Sequence, residues 1–336
     1  MRRLISPRGH AVARQCVAIA SVSIAAGACA KRNAEGDSHA GHDAAASSVA
    51  GMSSAISDAT IPAGATTVAD RIGRSPRHGE YAMIKTGPSD SVRAWVVYPE
   101  RSSKAPVVVV VHEIFGLSTW VRAVADQAAA DGFIAIAPDM LSRVRGGPTT
   151  VEMPADSARR IIAGVNAAER NRAITASANW AMMQPAAQQK YGVIGFCWGG
   201  QTVFMHAING GVKGFSGGVA YYGLPYTSGG TPATATTPAT PATIVTDSVA
   251  KIKVPVMLLN GSKDARIAAA MPALDSIMKA LGKTYAATNY EGAVHGFLRA
   301  QDDPKAQRDP AEEAANLAAA KDAWPKTVAF LKKNLK

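Results

Sequence analysis

Cysteine is scarce in this chain, with three in 336 residues. Cys16 and Cys29 sit near the N terminus, so Cys197 is the only thiol in the rest of the sequence. An internal disulfide there is excluded, as is a redox centre that needs a second, resolving thiol. Only 6% of residues are aromatic and 18% charged, and no apolar run reaches the roughly 20 residues of a membrane-spanning helix. Lys and Arg outnumber Asp and Glu by 36 to 25, giving a net charge of +11. These cations form no clustered blocks and belong to no nucleic-acid-binding motif, so no nucleic-acid partner is expected. His39, His42 and Asp43 could hold a metal weakly, but a polar linker explains them better. Neither a metal nor an organic cofactor is expected.

The ends of the chain read differently from its middle. Residues 1–28 carry Arg2, Arg3, Arg8 and Arg14 with no acidic residue, then the apolar stretch from Cys16 to Ala28 that ends in small residues. That order is an export signal. Ala26-Gly27-Ala28-Cys29 resembles a lipidation site and equally suits ordinary signal cleavage. The expectation is therefore a periplasmic or secreted protein, anchored to a membrane only if Cys29 is lipidated. Residues 29–78 are rich in Ala, Ser, Gly and Asp and lack periodicity, which predicts a disordered tether. The folded domain is expected over 79–336. Its 227–246 segment, with the near-repeat TPATATTPATPAT, predicts a surface insertion whose Thr/Pro bias blocks helix and strand.

Within the domain, Tyr81–Lys85 and Val92–Tyr98 flank a Gly-Pro-Ser-Asp turn as a hairpin does. Ala105–His112 reads APVVVVVH, a continuous β-branched run suited to a strand buried on both faces. Helical spacing over Val121–Asp131 and Ala168–Met183 alternates with short apolar strands at Phe133–Ala137, Tyr191–Gly195, Val219–Tyr222, Val254–Asn260 and Lys283–Tyr290. A closing helix spans Ala311–Leu335. This alternation predicts an α/β domain with a mostly parallel, doubly wound sheet flanked by helices.

Gly195-Phe196-Cys197-Trp198-Gly199-Gly200 falls between a strand and a helix, the setting of a nucleophile elbow with Cys in place of Ser. Small residues two before and two after the nucleophile relieve a tight turn, and the helix N terminus favours an anion. A base and an acid are expected downstream in the order acid, then histidine. Asp264 follows the strand VPVMLLN in a Gly-Ser-Lys-Asp turn, and His295 lies in a glycine-flanked loop after the next strand. His206 falls on the helix after the elbow, and His112 ends the long strand, where it is expected to orient the neighbouring loop. His295 is thus the expected base and Cys197 the expected nucleophile.

Six pieces carry a family resemblance: His112-Glu113-Ile114-Phe115-Gly116, Ala137-Pro138-Asp139, Gly195 to Gly200, Tyr221-Tyr222-Gly223, Gly261-Ser262-Lys263-Asp264, and His295-Gly296-Phe297-Leu298-Arg299. In that order the sequence resembles dienelactone hydrolase over residues 79–336. The resemblance implies an α/β-hydrolase fold and cleavage of an ester or lactone, as by a carboxymethylenebutenolidase, through a Cys acyl-enzyme. It also implies that Glu113 touches the resting thiol, that the backbone N–H groups of Ile114 and Trp198 form an oxyanion hole, and that Arg299 receives a substrate carboxylate. A partner arginine would lie upstream, with Arg159 and Arg160 as candidates. The expected partner is a small ester or lactone, one that can carry a carboxylate, bound by a monomer. The competing expectation is a catalytically silent binding module presented by the tether.

Overall fold

A computed structural model describes residues 58–149, 153–230, 242–303 and 310–336. The export signal, Cys29, His39, His42, residues 29–57 of the expected tether and residues 231–241 of the insertion lie outside the described residues.

The domain opens with a short helix α1 (Val68–Gly73) and the hairpin of β1 (Gly79–Lys85) and β2 (Ser91–Val97). It continues through β3 (Ala105–Val111), α2 (Thr119–Ala130), β4 (Ile134–Pro138), α3 (Ala155–Ile162), α4 (Ala167–Met182), β5 (Ala187–Phe196), α5 (Trp198–Ile208) and β6 (Phe215–Tyr221). The last elements are β7 (Val256–Gly261), α6 (Ala265–Ala280), β8 (Tyr285–Tyr290) and α7 (Pro310–Asn334). The eight strands form one sheet in the order β1-β2-β4-β3-β5-β6-β7-β8. β1 and β2 pair antiparallel, as do β2 and β4; every other pairing is parallel. This is the expected α/β architecture.

The sequence accounts for the centre of the sheet. Val107 to Val111 are all fully buried, as a β-branched run between two helical layers should be. Ser118 caps α2, accepting from the Val121 amide at 3.4 Å. Asn166 and Glu169 form a reciprocal capping box at α4, which satisfies two amides that the helix itself cannot.

Register then sets up the site. Val111 pairs with Gly195 across β3 and β5, Phe196 with Tyr221 across β5 and β6, Tyr221 with Leu259 across β6 and β7, and Tyr290 with Gly261 across β8 and β7. The carboxyl ends of five strands therefore stop at one level. Loops that follow them converge there, as ligand-binding loops do in open α/β sheets.

Two expectations need correction. Residues 58–78 are not a free tether: Ile61 and Ala63 are 2% and 1% exposed, and α1 packs on α2. The Trp120 indole N–H donates to the Ala63 carbonyl at 3.1 Å, and Arg77 makes a bidentate pair with buried Asp126 at 3.0 and 2.6 Å. Composition misled because the segment has too little apolar surface to order itself, while the rest of the domain supplies its partners. The second correction concerns the insertion, whose ends do form strand: Thr227–Ser228 pair antiparallel with Thr243–Ile244. Ile244 is buried, so the two ends are pinned outside the Thr/Pro-biased stretch itself. No helix among the described residues is long and apolar enough to cross a membrane.

Ile61 separates the two views of the N-terminal segment. Ile61→Ala is expected to lower unfolding stability by about 2–5 kcal/mol, the range for emptying a buried aliphatic site, in urea denaturation. A free tether would show no change.

Candidate active site

Cys197 occupies the turn between β5 and α5 with φ 56° and ψ −113°, a conformation that L-residues with a side chain rarely adopt and that costs about 1–3 kcal/mol. Close approach on both sides makes the turn possible. A Cβ on Gly195 would come within 2.1 Å of the Gly199 carbonyl oxygen, and one on Gly199 within 2.4 Å of the Val111 carbonyl oxygen. The Cys197 amide donates to the Tyr221 carbonyl at 3.0 Å. The thiol thus stands at the edge of the sheet, at the N terminus of α5.

Asp264 ends the turn after β7 and starts α6. Its Oδ1 accepts from the Ile267 amide at 3.3 Å, so it caps the helix, while its Oδ2 lies 2.6 Å from His295 Nδ1. Burial works to raise the Asp264 pKa, but hydrogen bonds from His295 and Ile267 and nearby positive charge outweigh it and hold the carboxyl below its ordinary value. His295 and Cys197 line the same cavity. With Nδ1 committed to Asp264, Nε2 is the nitrogen left for the thiol. Burial disfavours its charge, yet the hydrogen bond to Asp264 and the interaction with Cys197 push its pKa up to about 10. The three residues expected to work together therefore meet at one cavity, with Asp264 and His295 hydrogen-bonded.

His112 and His206 are committed elsewhere. His112 is fully buried, with Nδ1 2.6 Å from the Glu113 carbonyl and Nε2 accepting from the Met140 amide at 3.0 Å. Its ring stacks on Trp198 at 5.4 Å. Burial pushes its pKa down, so a neutral imidazole clamps the Glu113–Gly116 loop against the start of α5. His206 is held between Asn171 Oδ1 at 2.7 Å and the Tyr191 hydroxyl at 2.8 Å, and burial lowers it to about 4.

A cavity of about 620 Å³ opens on these groups, and Glu113, Ile114, Arg159, Cys197, His295 and Arg299 line it. Glu113 Oε2 pairs with Arg299 Nε at 3.3 Å, both side chains largely buried, and the Arg299 guanidinium lies 5.2 Å from the Phe115 ring. Trp198, half of the expected oxyanion pair, is the first residue of α5. Arg160 is corrected. Arg159 reaches the cavity, whereas Arg160, one helical step of about 100° further round α3, bonds Ser157 at 3.1 Å instead.

Sequence reasoning missed three groups at this site. Lys263 and Arg266 flank Asp264 and line the same cavity; their nearness to Asp264 in sequence was the available signal. Tyr222, inside a quoted motif but without an assigned role, turns with φ 40° and sets its ring 4.9 Å from that of His295. Its buried hydroxyl has no hydrogen-bond partner among the described residues. Burial, reinforced by negative charge at Glu113, keeps this phenol protonated.

The raised pKa of His295 fixes the sign of a pH effect. A group bound more tightly when protonated stabilises the fold fully below its unfolded pKa, near 6.5, and loses that contribution as pH rises through about 10. The stability difference between the protein and His295→Ala, read from urea unfolding, should be largest near pH 6 and shrink towards pH 10. A difference that grows with pH would contradict the pairing.

Comparison with known proteins places the chain in a family. A protein of Synechocystis named "Putative carboxymethylenebutenolidase" is 29% identical over 253 residues, covering 73% of this chain and 93% of its own length. The carboxymethylenebutenolidase of Pseudomonas putida is 31% identical over 131 residues, 36% of this chain and 51% of that one. The crystal structure titled "Putative Dienelactone Hydrolase" from Klebsiella pneumoniae superposes with a TM-score of 0.61 at 23% identity, covering 76% of this chain and 98% of that chain. At that identity the likeness speaks for the fold, which is the α/β-hydrolase fold. The sequence model of the dienelactone hydrolase family matches residues 92–335, and this chain belongs to that family.

Proposed function

We propose that the chain hydrolyses a carboxylic ester or lactone through Cys197 as nucleophile. The observation that carries the reading is the strained Cys197 at the β5–α5 turn, on one cavity with a His295 that Asp264 holds at 2.6 Å. His295, held by Asp264 and with its pKa raised, keeps the proton and favours the Cys197 thiolate, whose sulfur attacks the carbonyl carbon. The carbonyl π electrons move to oxygen, and the amides of Ile114 and Trp198 receive that oxyanion. Collapse expels the alcohol or enol oxygen, which takes the proton from His295 and leaves a thioester on Cys197. Water, losing a proton to His295, attacks the thioester and returns the thiolate. Asp264 holds the imidazole tautomer throughout.

Thiolate leaves more readily than alkoxide, so the tetrahedral intermediate reverts unless the oxygen leaving group is stabilised. Enol lactones meet that need and simple alkyl esters do not. Arg299, beside Glu113 in the cavity, together with Arg159 on its wall, supports a substrate that carries a carboxylate. Glu113 stands close enough to Arg299 to give way when such an anion enters. A silent binding module would not need Cys197, His295 and Asp264 gathered on one cavity, and nothing in the cavity favours that reading. The proposal includes export, which rests on residues 1–28, and a mature N-terminal mass would distinguish lipidation at Cys29 from simple cleavage.

Turnover of a chromogenic ester and of an enol lactone by Cys197→Ala provides the test. The variant should lose about a thousandfold or more in kcat/KM, the scale of removing a nucleophile from a concerted series. Undiminished turnover would overturn the assignment.

A further inference from the structure

Arg299 sits on a four-residue helical turn, Phe297–Ala300, and a single turn cannot hold itself in water. Its orientation must come from what it packs against. On one side Phe297 is fully buried against Tyr222 and Tyr290, with ring centroids at 5.5 and 5.3 Å. On the other side lies the N-terminal segment, which begins well before the family match at residue 92.

The contacts between that segment and the Arg299 turn are dense and specific. The Ala65 amide donates to the carbonyl of Arg299 itself at 2.8 Å. Gln301 Nε2 donates to the Pro62 carbonyl at 2.9 Å and to Leu298 at 2.8 Å, both buried. The Asp302 carboxylate accepts from the Thr66 amide at 3.0 Å, the Thr67 amide at 3.2 Å and the Thr67 hydroxyl at 2.6 Å. The Thr66 hydroxyl donates to the Asp302 carbonyl at 2.8 Å. The same segment is fastened to α2, through Trp120 to Ala63, Arg71 to Gln127 at 2.5 Å, and Arg77 to Asp126. It therefore bridges a rigid helix and the turn that carries a cavity arginine.

We propose that residues 58–77 act as a strap that positions Arg299 for an anionic group of the substrate, with Asp302 as the positioning residue at its buckle. The idea deepens the proposed function and rests on it for the part Arg299 plays. His295 precedes the turn and is steadied from the other side by Asp264 and by the buried Phe297, so loosening the strap should weaken recognition of an anion without disabling the nucleophile. A merely structural contact would affect charged and neutral reactants alike.

Alkylation of Cys197 by iodoacetate and by iodoacetamide separates these cases, because the two reagents differ chiefly in a carboxylate. Rates would be followed in the full chain at the Cys197 peptide by mass spectrometry, which sets Cys16 and Cys29 aside. Asp302→Ala should cut the iodoacetate-to-iodoacetamide rate ratio by about threefold or more, as expected for displacing one charge-assisted contact. Thr67→Ala should lower it by less, with the iodoacetamide rate held within about twofold in both variants. A ratio unchanged in both variants, or two rates that move together, would overturn the strap. A ratio that falls in a chain with no ester or lactone turnover would support the strap and remove the hydrolase reading. Loss of turnover in Cys197→Ala, with the ratio unmoved by Asp302→Ala, would do the reverse.

Discussion

The chain passes through Cys197 with a positive φ, and much of the active end of the domain is arranged to permit that one turn. Backbone strain of this kind survives only where its surroundings overdetermine it. Here the overdetermination is visible: Gly195 and Gly199 leave no room for a Cβ between β5, α5 and β3, and the Cys197 amide is taken by β6. The glycines, the parallel register and the buried valines of β3 are parts of one constraint. Together they set a thiol at the mouth of the sheet with a helix N terminus behind it.

Economy of groups follows from that constraint. Asp264 caps α6 and orients His295 with its two oxygens, so the fold of one helix and the direction of one imidazole stand or fall together. His112 joins three elements by its two nitrogens and its ring face. Its low pKa keeps it neutral and thus unable to compete as a charged partner for Glu113. Such shared contacts explain why the cavity can be charged on its walls yet ordered. Asp264 and His112 each serve the site and the backbone around it at once.

Much of this was legible in the sequence. The valine run, the hairpin and the strand-Cys-helix motif each depend on local pattern, and the order Cys197, Asp264, His295 follows from the topology. What escaped depends on distance or on phase. The strap's partner Asp302 lies 236 residues from Thr66, and no local pattern reports such a pairing. The helix after Asp264 contains Pro272 and many alanines, which blurs its amphipathic signal and hid the capping role of Asp264. Arg159 and Arg160 were indistinguishable until the phase of α3 was known. The positive φ of Tyr222 has no marker in the residue type, which normally avoids it.

The central claim is that carbonyl chemistry passes through a covalent bond to Cys197. Its most direct test is acid quenching during turnover of a slowly deacylating activated ester, followed by intact and peptide mass measurement. The account predicts an acyl adduct of the substrate's mass on the peptide containing Cys197, formed and lost at rates that match turnover. An enzyme that turns over while Cys197 stays unmodified, or an adduct on another residue, would contradict it.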